Sequence, residues 1–233
     1  MLGKLKRQLN LILGRDYCPF CSVFTKFKPF GKEQRPHAEC PFCGSLERHR
    51  FLLSVYKDKI LTAKTPLRIL HTAPETIFAK LFQKESQIVY TPIDLYPELF
   101  PDIPCVKADV TDLPFENESF DVILSNHVLE HIPDYEKCCR EFQRVLAPDG
   151  RAFLTFPVDW NRAETLEDSA IQTPQDRLKF YGQADHVRLF GCDSEELLAK
   201  FFRVTKLTQK DYKPFGNQQW NDAAYCFLLE HKT

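Results

Sequence analysis

The cysteines of this chain are the residues whose spacing points first to chemistry. Cys18-Pro19-Phe20-Cys21 and Cys40-Pro41-Phe42-Cys43 form two Cys-x2-Cys knuckles with eighteen residues between them, inside the spacing window of a four-thiolate zinc site. Two cysteines three positions apart can turn round one metal ion, and two such turns complete a tetrahedron of sulfurs. Gly44, directly after the second knuckle, supplies the permissive backbone that a tight turn often needs. Four unrelated buried thiols or two disulfides are the alternatives, and the spacing favours zinc. Four thiolates close the coordination shell, so Cys18, Cys21, Cys40 and Cys43 make a structural site and the chemistry has to be sought downstream. Cys105, Cys138, Cys139, Cys192 and Cys226 are scattered and read as small buried apolar residues.

Downstream, polar residues gather where short apolar runs end. His71-Thr72-Ala73-Pro74-Glu75 follows one run, Asp94 and Leu95 the next, Asp109 and Val110 a third, and Ser125-Asn126-His127 a fourth. Asp94 comes 21 residues after Ala73, close to the separation at which an acid reaches ribose hydroxyls in dinucleotide folds. Asp109 is placed to accept from an adenine amino group. Helix capping or turn formation is the ordinary alternative for either acid alone; two acids at successive strand ends weigh against it.

The elements that must hold these residues alternate. Strands are expected at Leu67–Leu70, Ile88–Ile93, Cys105–Ala108, Asp121–Ser125 and Arg151–Phe156, with helices around Thr76–Gln83 and Tyr135–Leu146 and a turn at Ala147-Pro148-Asp149-Gly150. Alternation of this kind implies an α/β fold with a parallel sheet and helices on both faces, and in such sheets a ligand sits outside the carboxyl ends of the strands. A helix near Ser194–Lys200 and strands near Phe202–Thr208 and Ala223–Glu230 close the chain, the last two joined by a long hairpin connection. The chain thus divides into an amphipathic helix over 1–14, a zinc ribbon with its connecting helix over 15–59, and a sheet domain over 60–233.

Three strings carry a family resemblance: Leu113-Pro114-Phe115, Ser119-Phe120-Asp121-Val122-Ile123 and Asn126-His127-Val128-Leu129-Glu130-His131-Ile132, continued by Arg144-Val145-Leu146-Ala147-Pro148-Asp149-Gly150. In this order they resemble class I methyltransferases that use S-adenosylmethionine, in the subgroup that includes quinone-biosynthesis methylases. The resemblance runs from about Leu67 to Phe156 and implies a Rossmann-like, seven-stranded, mostly parallel sheet whose last strand is antiparallel. It implies S-adenosylmethionine as cofactor, held by His71, Ala73, Glu75, Asp94, Leu95, Asp109, Val110, Asn126 and His127. The first loop departs from the family, which usually has several glycines there; Ala73 and Glu75 stand where the first two would be. Loss of cofactor binding is one reading of that departure. A subfamily trait is the other, because Cys40 to Arg50 and His71 to Glu75 together are similar to a subfamily in which a ribbon precedes a strand ending in His-x-Ala-Pro-Glu.

Methyl transfer from a sulfonium is an in-line displacement, so the enzyme positions donor and acceptor and removes a proton where needed. The base is expected from the loops over the cofactor: His127, Glu130 and His131 after the fourth strand, or Asp185, His186 and Arg188 in the insertion after the fifth. His186 is the first choice, since histidine titrates near neutrality, and His127 the second. Tyr181, Asp185 and Arg188 are expected to shape the acceptor pocket, with Arg188 holding an anionic group.

Bulk properties narrow the classes. No run approaches the ~18 apolar residues of a membrane helix, and nine cysteines without a secretion signal suggest a reducing, cytoplasmic setting. Residues 1–50 hold ten Lys and Arg against four Asp and Glu, while the net charge of the whole chain is −1. A small-molecule, sugar or lipid acceptor is therefore the first expectation. A nucleic acid docked on the basic ribbon, a non-catalytic binding module, and a peripheral membrane contact through residues 1–14 remain alternatives. The ribbon is expected beside the cofactor mouth, with Arg48, His49 and Arg50 either reaching an anionic substrate group or packing as a helix start.

Overall fold

The computed structural model describes residues 10, 13–31, 34–215 and 224–232. Most of the amphipathic helix expected over 1–14, and part of the hairpin connection expected over 209–222, lie outside the described residues. The chain separates into two compact units, Met1–Ala63 with Leu207–Tyr225 and Lys64–Lys206 with Cys226–Thr233. The stretch Leu207–Tyr225 thus groups with the ribbon, and the chain returns to the sheet unit at Cys226.

In the first unit, β1 (Asp16–Cys18) pairs antiparallel with β2 (Val23–Thr25), and β3 (Lys28–Phe30) with β4 (Arg35–Glu39). The first knuckle occupies the turn of the first hairpin, and the second follows β4. Gly44 closes the second knuckle at φ +68°, in the left-handed region that favours glycine, and its amide donates to the Cys40 carbonyl at 2.9 Å. Asp16 ties the hairpins together, its Oδ2 accepting from the Phe27 amide at 3.3 Å and lying 2.9 Å from His37 Nδ1. The helix α1 (Glu47–Lys59) starts where His49 turns Nδ1 back to accept from the Leu46 amide at 3.2 Å. Arg50 runs inward from α1, donates to the Ala38 carbonyl at 2.9 Å and lies 4.3 Å over the Phe27 ring. His49 and Arg50 are buried, so these two pack as a helix start instead of reaching for a ligand. Tyr212 from the tail meets α1 edge-on at Phe51 and donates to Asp58 at 3.2 Å.

The second unit is built on a seven-stranded sheet. Its strands are β5 (Leu67–Thr72), β6 (Ile88–Asp94), β7 (Val106–Lys107), β8 (Phe120–Asn126), β9 (Leu146–Thr155), β10 (Arg203–Thr208) and β11 (Tyr225–Glu230), in the order β10-β11-β9-β8-β5-β6-β7. Strands β5 to β9 pair in parallel and β11 runs antiparallel to β9. This is the Rossmann-like sheet with an antiparallel last strand that the sequence leads one to expect. Helix α2 (Thr76–Phe82) connects β5 to β6, and α3 (Tyr135–Val145) connects β8 to β9. The stripe Cys138, Cys139, Phe142 and Val145 on α3 is buried, the face a crossover helix must turn to its sheet.

Several residues that carry the resemblance hold one another. Arg144 on α3 donates to the Leu113 and Phe115 carbonyls at 2.9 and 2.6 Å, and Glu141 accepts from the Leu113 amide at 2.8 Å. The turn expected at 147–150 is a bulge inside β9: Phe120 pairs with Leu146 but Val122 pairs with Arg151. A Cβ at Gly150 would fall 2.7 Å from Leu146 Cδ1 and 2.9 Å from the Ala147 carbonyl oxygen, so the bulge needs glycine. The insertion after β9 holds α4 (Pro174–Tyr181), begun by Thr173 accepting from the Asp176 amide at 3.1 Å and ended by Gly182 at φ +87°. Helix α5 (Ser194–Ala199) precedes β10.

Candidate functional site

Sheet register gathers the strand-end residues. Thr72 pairs with both Ile93 and Ser125, and Asn126 with Thr155, so Ala73, Asp94 and Asn126 stand in the next row, at the carboxyl edge. A hydrogen-bonded chain crosses that edge. Buried His71 lies 2.9 Å from the Tyr90 hydroxyl through Nδ1 and 3.0 Å from Glu75 Oε2 through Nε2. The same Glu75 oxygen accepts from Asn126 Nδ2 at 3.3 Å, and Asn126 Oδ1 accepts from Thr155 at 3.1 Å. Tyr90 and Thr155 were not singled out from the sequence, since each is one of several polar residues in β6 and β9. Glu75 is therefore the centre of a network.

Ala73 adopts φ +46°, the conformation for which a glycine is the default residue, and its amide donates to the Ile93 carbonyl at 3.0 Å. The backbone thus makes the glycine's turn with a methyl group attached. Asp94 is partly exposed, and its Oδ1 accepts from the Tyr96 amide at 2.7 Å, which fixes the carboxylate at the end of β6. Exposed Asp109 accepts from the Thr111 amide and hydroxyl at 2.8 and 2.9 Å through Oδ1. Each acid thus uses one oxygen in a local turn. Leu95 is exposed and Val110 is buried.

The loop after β8 meets the insertion. His127, at φ +55°, is part-exposed and sets Nδ1 3.2 Å from Glu130 Oε1, while Glu130 is buried. His186 is also buried, its Nδ1 3.2 Å from the Tyr181 carbonyl and its ring edge-on to His131 at 4.8 Å. Burial lowers the His186 pKa from the usual histidine value, with Glu130 pulling the other way. Exposed Asp185 lies 3.3 Å from His131 Nδ1.

Arg188 departs from its expected part. It is fully buried, and all of its N–H groups are engaged: with both Glu167 oxygens at 2.8 and 3.0 Å, and with the Leu129, Ile132 and Pro133 carbonyls at 2.6, 2.5 and 2.8 Å. With no donor left for a substrate anion, it docks the insertion on the β8–α3 loop. The Tyr181 hydroxyl, expected in the acceptor pocket, is engaged by the backbone of Asp168, at 3.1 Å from its amide and 3.3 Å from its carbonyl.

In the ribbon the four cysteines are free thiols whose ligand atoms all lie within 4.8 Å of one another. Cys18 and Cys43 sulfurs are 3.6 Å apart, and Cys21 and Cys40 sulfurs 4.0 Å, against an edge of about 3.8 Å for a tetrahedron with Zn–S bonds near 2.3 Å. The sulfurs thus fit a single four-coordinate ion. Burial raises Cys40 to about 11, whereas burial of Cys43 is outweighed by hydrogen bonds with Ser45 and Cys21 that hold it down to about 7.

Comparison with known proteins places this geometry. Residues 75–154 match the family model described as a methyltransferase domain. The 2-phytyl-1,4-naphtoquinone methyltransferase of Trichormus variabilis is 39% identical over 77 residues, 33% of this chain and 31% of that protein. The chain spans less than a third of the length of the curated relatives it matches. Among solved structures, a complex of the Haloferax volcanii Trm112 methyltransferase activator with a putative methyltransferase has TM-score 0.55 at 13% identity, covering 80% of this chain and 92% of that chain. Phosphoethanolamine N-methyltransferase 2 of Haemonchus contortus, in complex with S-adenosyl-L-methionine, has TM-score 0.53 at 15% identity, covering 79% of this chain and 53% of that chain. The structural likenesses establish the fold, and the stretch matched as a methyltransferase domain includes Glu75, Tyr90 and Asn126 of the strand-end network, with His71 and Thr155 just outside it.

Proposed function

We propose that the protein is an S-adenosylmethionine-dependent methyltransferase acting on a small-molecule, sugar or lipid acceptor, with a structural zinc ion on Cys18, Cys21, Cys40 and Cys43. The observation that carries the reading is the row Ala73, Asp94 and Asn126 at the carboxyl edge, with Asp94 and Asn126 inside the stretch matched as a methyltransferase domain and Ala73 just before it. The residues suit the cofactor: Asp94 is held by the Tyr96 amide at 2.7 Å, and Ala73 gives the left-handed turn of a glycine. Asp94 would accept from the ribose hydroxyls, Asp109 from the adenine amino group, and the Glu75 carboxylate would face the methionine end. When bound, the sulfonium supplies an electrophilic methyl group. His127 is the residue we assign to proton removal, because it is part-exposed and its Nδ1 is oriented by buried Glu130 at 3.2 Å, the base-and-orienter arrangement. Buried His186, the other candidate, suits a different part, developed below.

Calorimetry with the purified protein tests the reading. Micromolar-range binding of S-adenosylmethionine is expected, weakened at least tenfold in Asp94→Ala, since charge-assisted hydrogen bonds of roughly 1.5–3 kcal/mol are lost. Absence of binding by the wild type would leave a binding module with this fold. The excess of positive charge in residues 1–50 favours RNA as a second acceptor class. A salt series with mixed RNA separates the two, because steep weakening with salt is the mark of phosphate contacts and a shallow, weak response is expected here.

A further inference from the structure

The loop after β8 and the insertion after β9 bring together a second group of metal-ligating side chains. Glu130, His131 and His186 each offer one ligand atom, and these atoms all lie within 4.8 Å of one another. Glu130 is 1% exposed and His186 2%, yet Glu130 Oε2 and His186 Nε2 have no hydrogen-bond partner among the described residues. A buried polar atom left unsatisfied is costly, and an ion between them would satisfy both.

The outer contacts set the rings for ligation. His186 Nδ1 faces the Tyr181 carbonyl at 3.2 Å; a carbonyl can only accept, so the proton of the neutral ring sits on Nδ1 and Nε2 carries a lone pair. Metal-bound histidines take this form, with the other ring nitrogen donating to a carbonyl or carboxylate. His131 Nδ1 lies 3.3 Å from the Asp185 carboxylate, the same device with an acid. Glu130 turns Oε1 to His127 at 3.2 Å and keeps Oε2 for the group. The two loops are already joined by the Val187 amide donating to the Glu130 carbonyl at 2.9 Å.

We propose that Glu130, His131 and His186 bind a divalent d-block cation, of which Zn2+ best suits two imidazoles and one carboxylate. A tetrahedron with bonds near 2.1 Å has an edge of about 3.4 Å, so the side chains draw in by rotation when the ion binds. Three protein ligands leave one position open, as in catalytic rather than structural zinc sites. That position takes water, or an oxygen or nitrogen of the acceptor, whose proton the ion would make easier to remove. Through Glu130 the ion would sit one carboxylate away from His127, the residue assigned above to proton removal. The metal site itself does not depend on that assignment, and its test needs neither cofactor nor acceptor.

The experiment is a Co2+ titration of the untagged, metal-free full-length protein followed by absorption. Two equivalents are expected, one with intense sulfur-to-cobalt absorption from the cysteines and one with weak ligand-field bands alone. Glu130→Gln and His186→Gln should each lose the second equivalent and keep the first, whose sulfur bands also report an intact ribbon; far-UV dichroism reports the sheet. Asp185→Asn should weaken the second equivalent by about 10- to 100-fold, the usual effect of removing an outer partner. Saturation of the wild type at one sulfur-type equivalent overturns the proposal, whatever the variants do. A second equivalent that persists undiminished in both Gln variants overturns it as well, since the ion then binds elsewhere.

Discussion

The four-sulfur group and the Glu130–His131–His186 group stand in opposite relations to the chain around them. The sulfurs lie among hairpins whose strands β1, β2 and β3 are three residues long, and the buried cluster there is Cys18, Phe27 and Cys40. So small an apolar centre cannot offset the entropy of ordering its loops, and a metal is the usual remedy. The second group lies where the chain is already closed: Arg188 holds the Leu129, Ile132 and Pro133 carbonyls and clasps Glu167. An ion in the ribbon would therefore be a condition of folding, while an ion in the second group would be free to serve chemistry.

The largest expected effect breaks the ribbon. Cys40→Ser removes one of four sulfurs, and apparent binding energies of structural zinc run to about 10–16 kcal/mol. The variant should lose the zinc equivalent of the four-sulfur site and become protease-sensitive within residues 15–59, with the sheet's dichroism retained. Loss of both signals together would show that the two units do not fold separately. Arg188→Met tests the other side. Removing the guanidinium strands three backbone carbonyls, so stability should fall by about 3 kcal/mol, read as a lower urea midpoint with an unchanged zinc content. A change below about 0.5 kcal/mol would mean that the insertion is held by something other than Arg188.

Acid sharpens the comparison within the sheet unit. Asp121, hydrogen-bonded by Arg68, and Glu141, hydrogen-bonded by Arg144, are both held below the usual carboxylate pKa. A depressed carboxylate stabilises the fold fully above its unfolded pKa and loses that contribution as pH falls through its folded value. Protection of β5 and β8 amides from hydrogen exchange should therefore be level from pH 7 to about pH 5 and decline below about pH 4. Arg144→Met should lower protection already at pH 7 and make the acid decline shallower, because Glu141 no longer contributes to it.

What could be read from the sequence follows the same division. Cys18, Cys21, Cys40 and Cys43 announce themselves because each pair is three positions apart, and local spacing survives in the sequence. The parallel sheet was legible because each strand is a short apolar run. His186 and Glu130 come together across a long stretch of chain, and nothing in either neighbourhood signals the other. Arg188 was misread for a related reason: a lone arginine in a polar loop resembles an anion holder until the fold supplies the carbonyls that engage it. Helix α4 went unseen although Thr173-Pro174 is a fair start signal.

The smallest effect concerns the first loop of the same sheet edge. Ala73 holds φ +46°, and a left-handed conformation costs a non-glycine residue about 1–2 kcal/mol. Ala73→Gly relieves that strain but also loosens the unfolded chain, at a cost of about 0.4–1 kcal/mol. The balance favours the variant by about 0.5 kcal/mol, a rise of roughly 1–2 °C in Tm for a chain of this size. If the loop binds cofactor through its backbone, as the family's glycines do, affinity for S-adenosylmethionine should hold or improve, because the methyl group contributes nothing the backbone lacks. Calorimetry showing a loss of tenfold or more would instead assign the Ala73 methyl a contact of its own. The glycine-free loop would then be a different way of holding the methionine end, centred on Glu75 and its hydrogen-bonded partners.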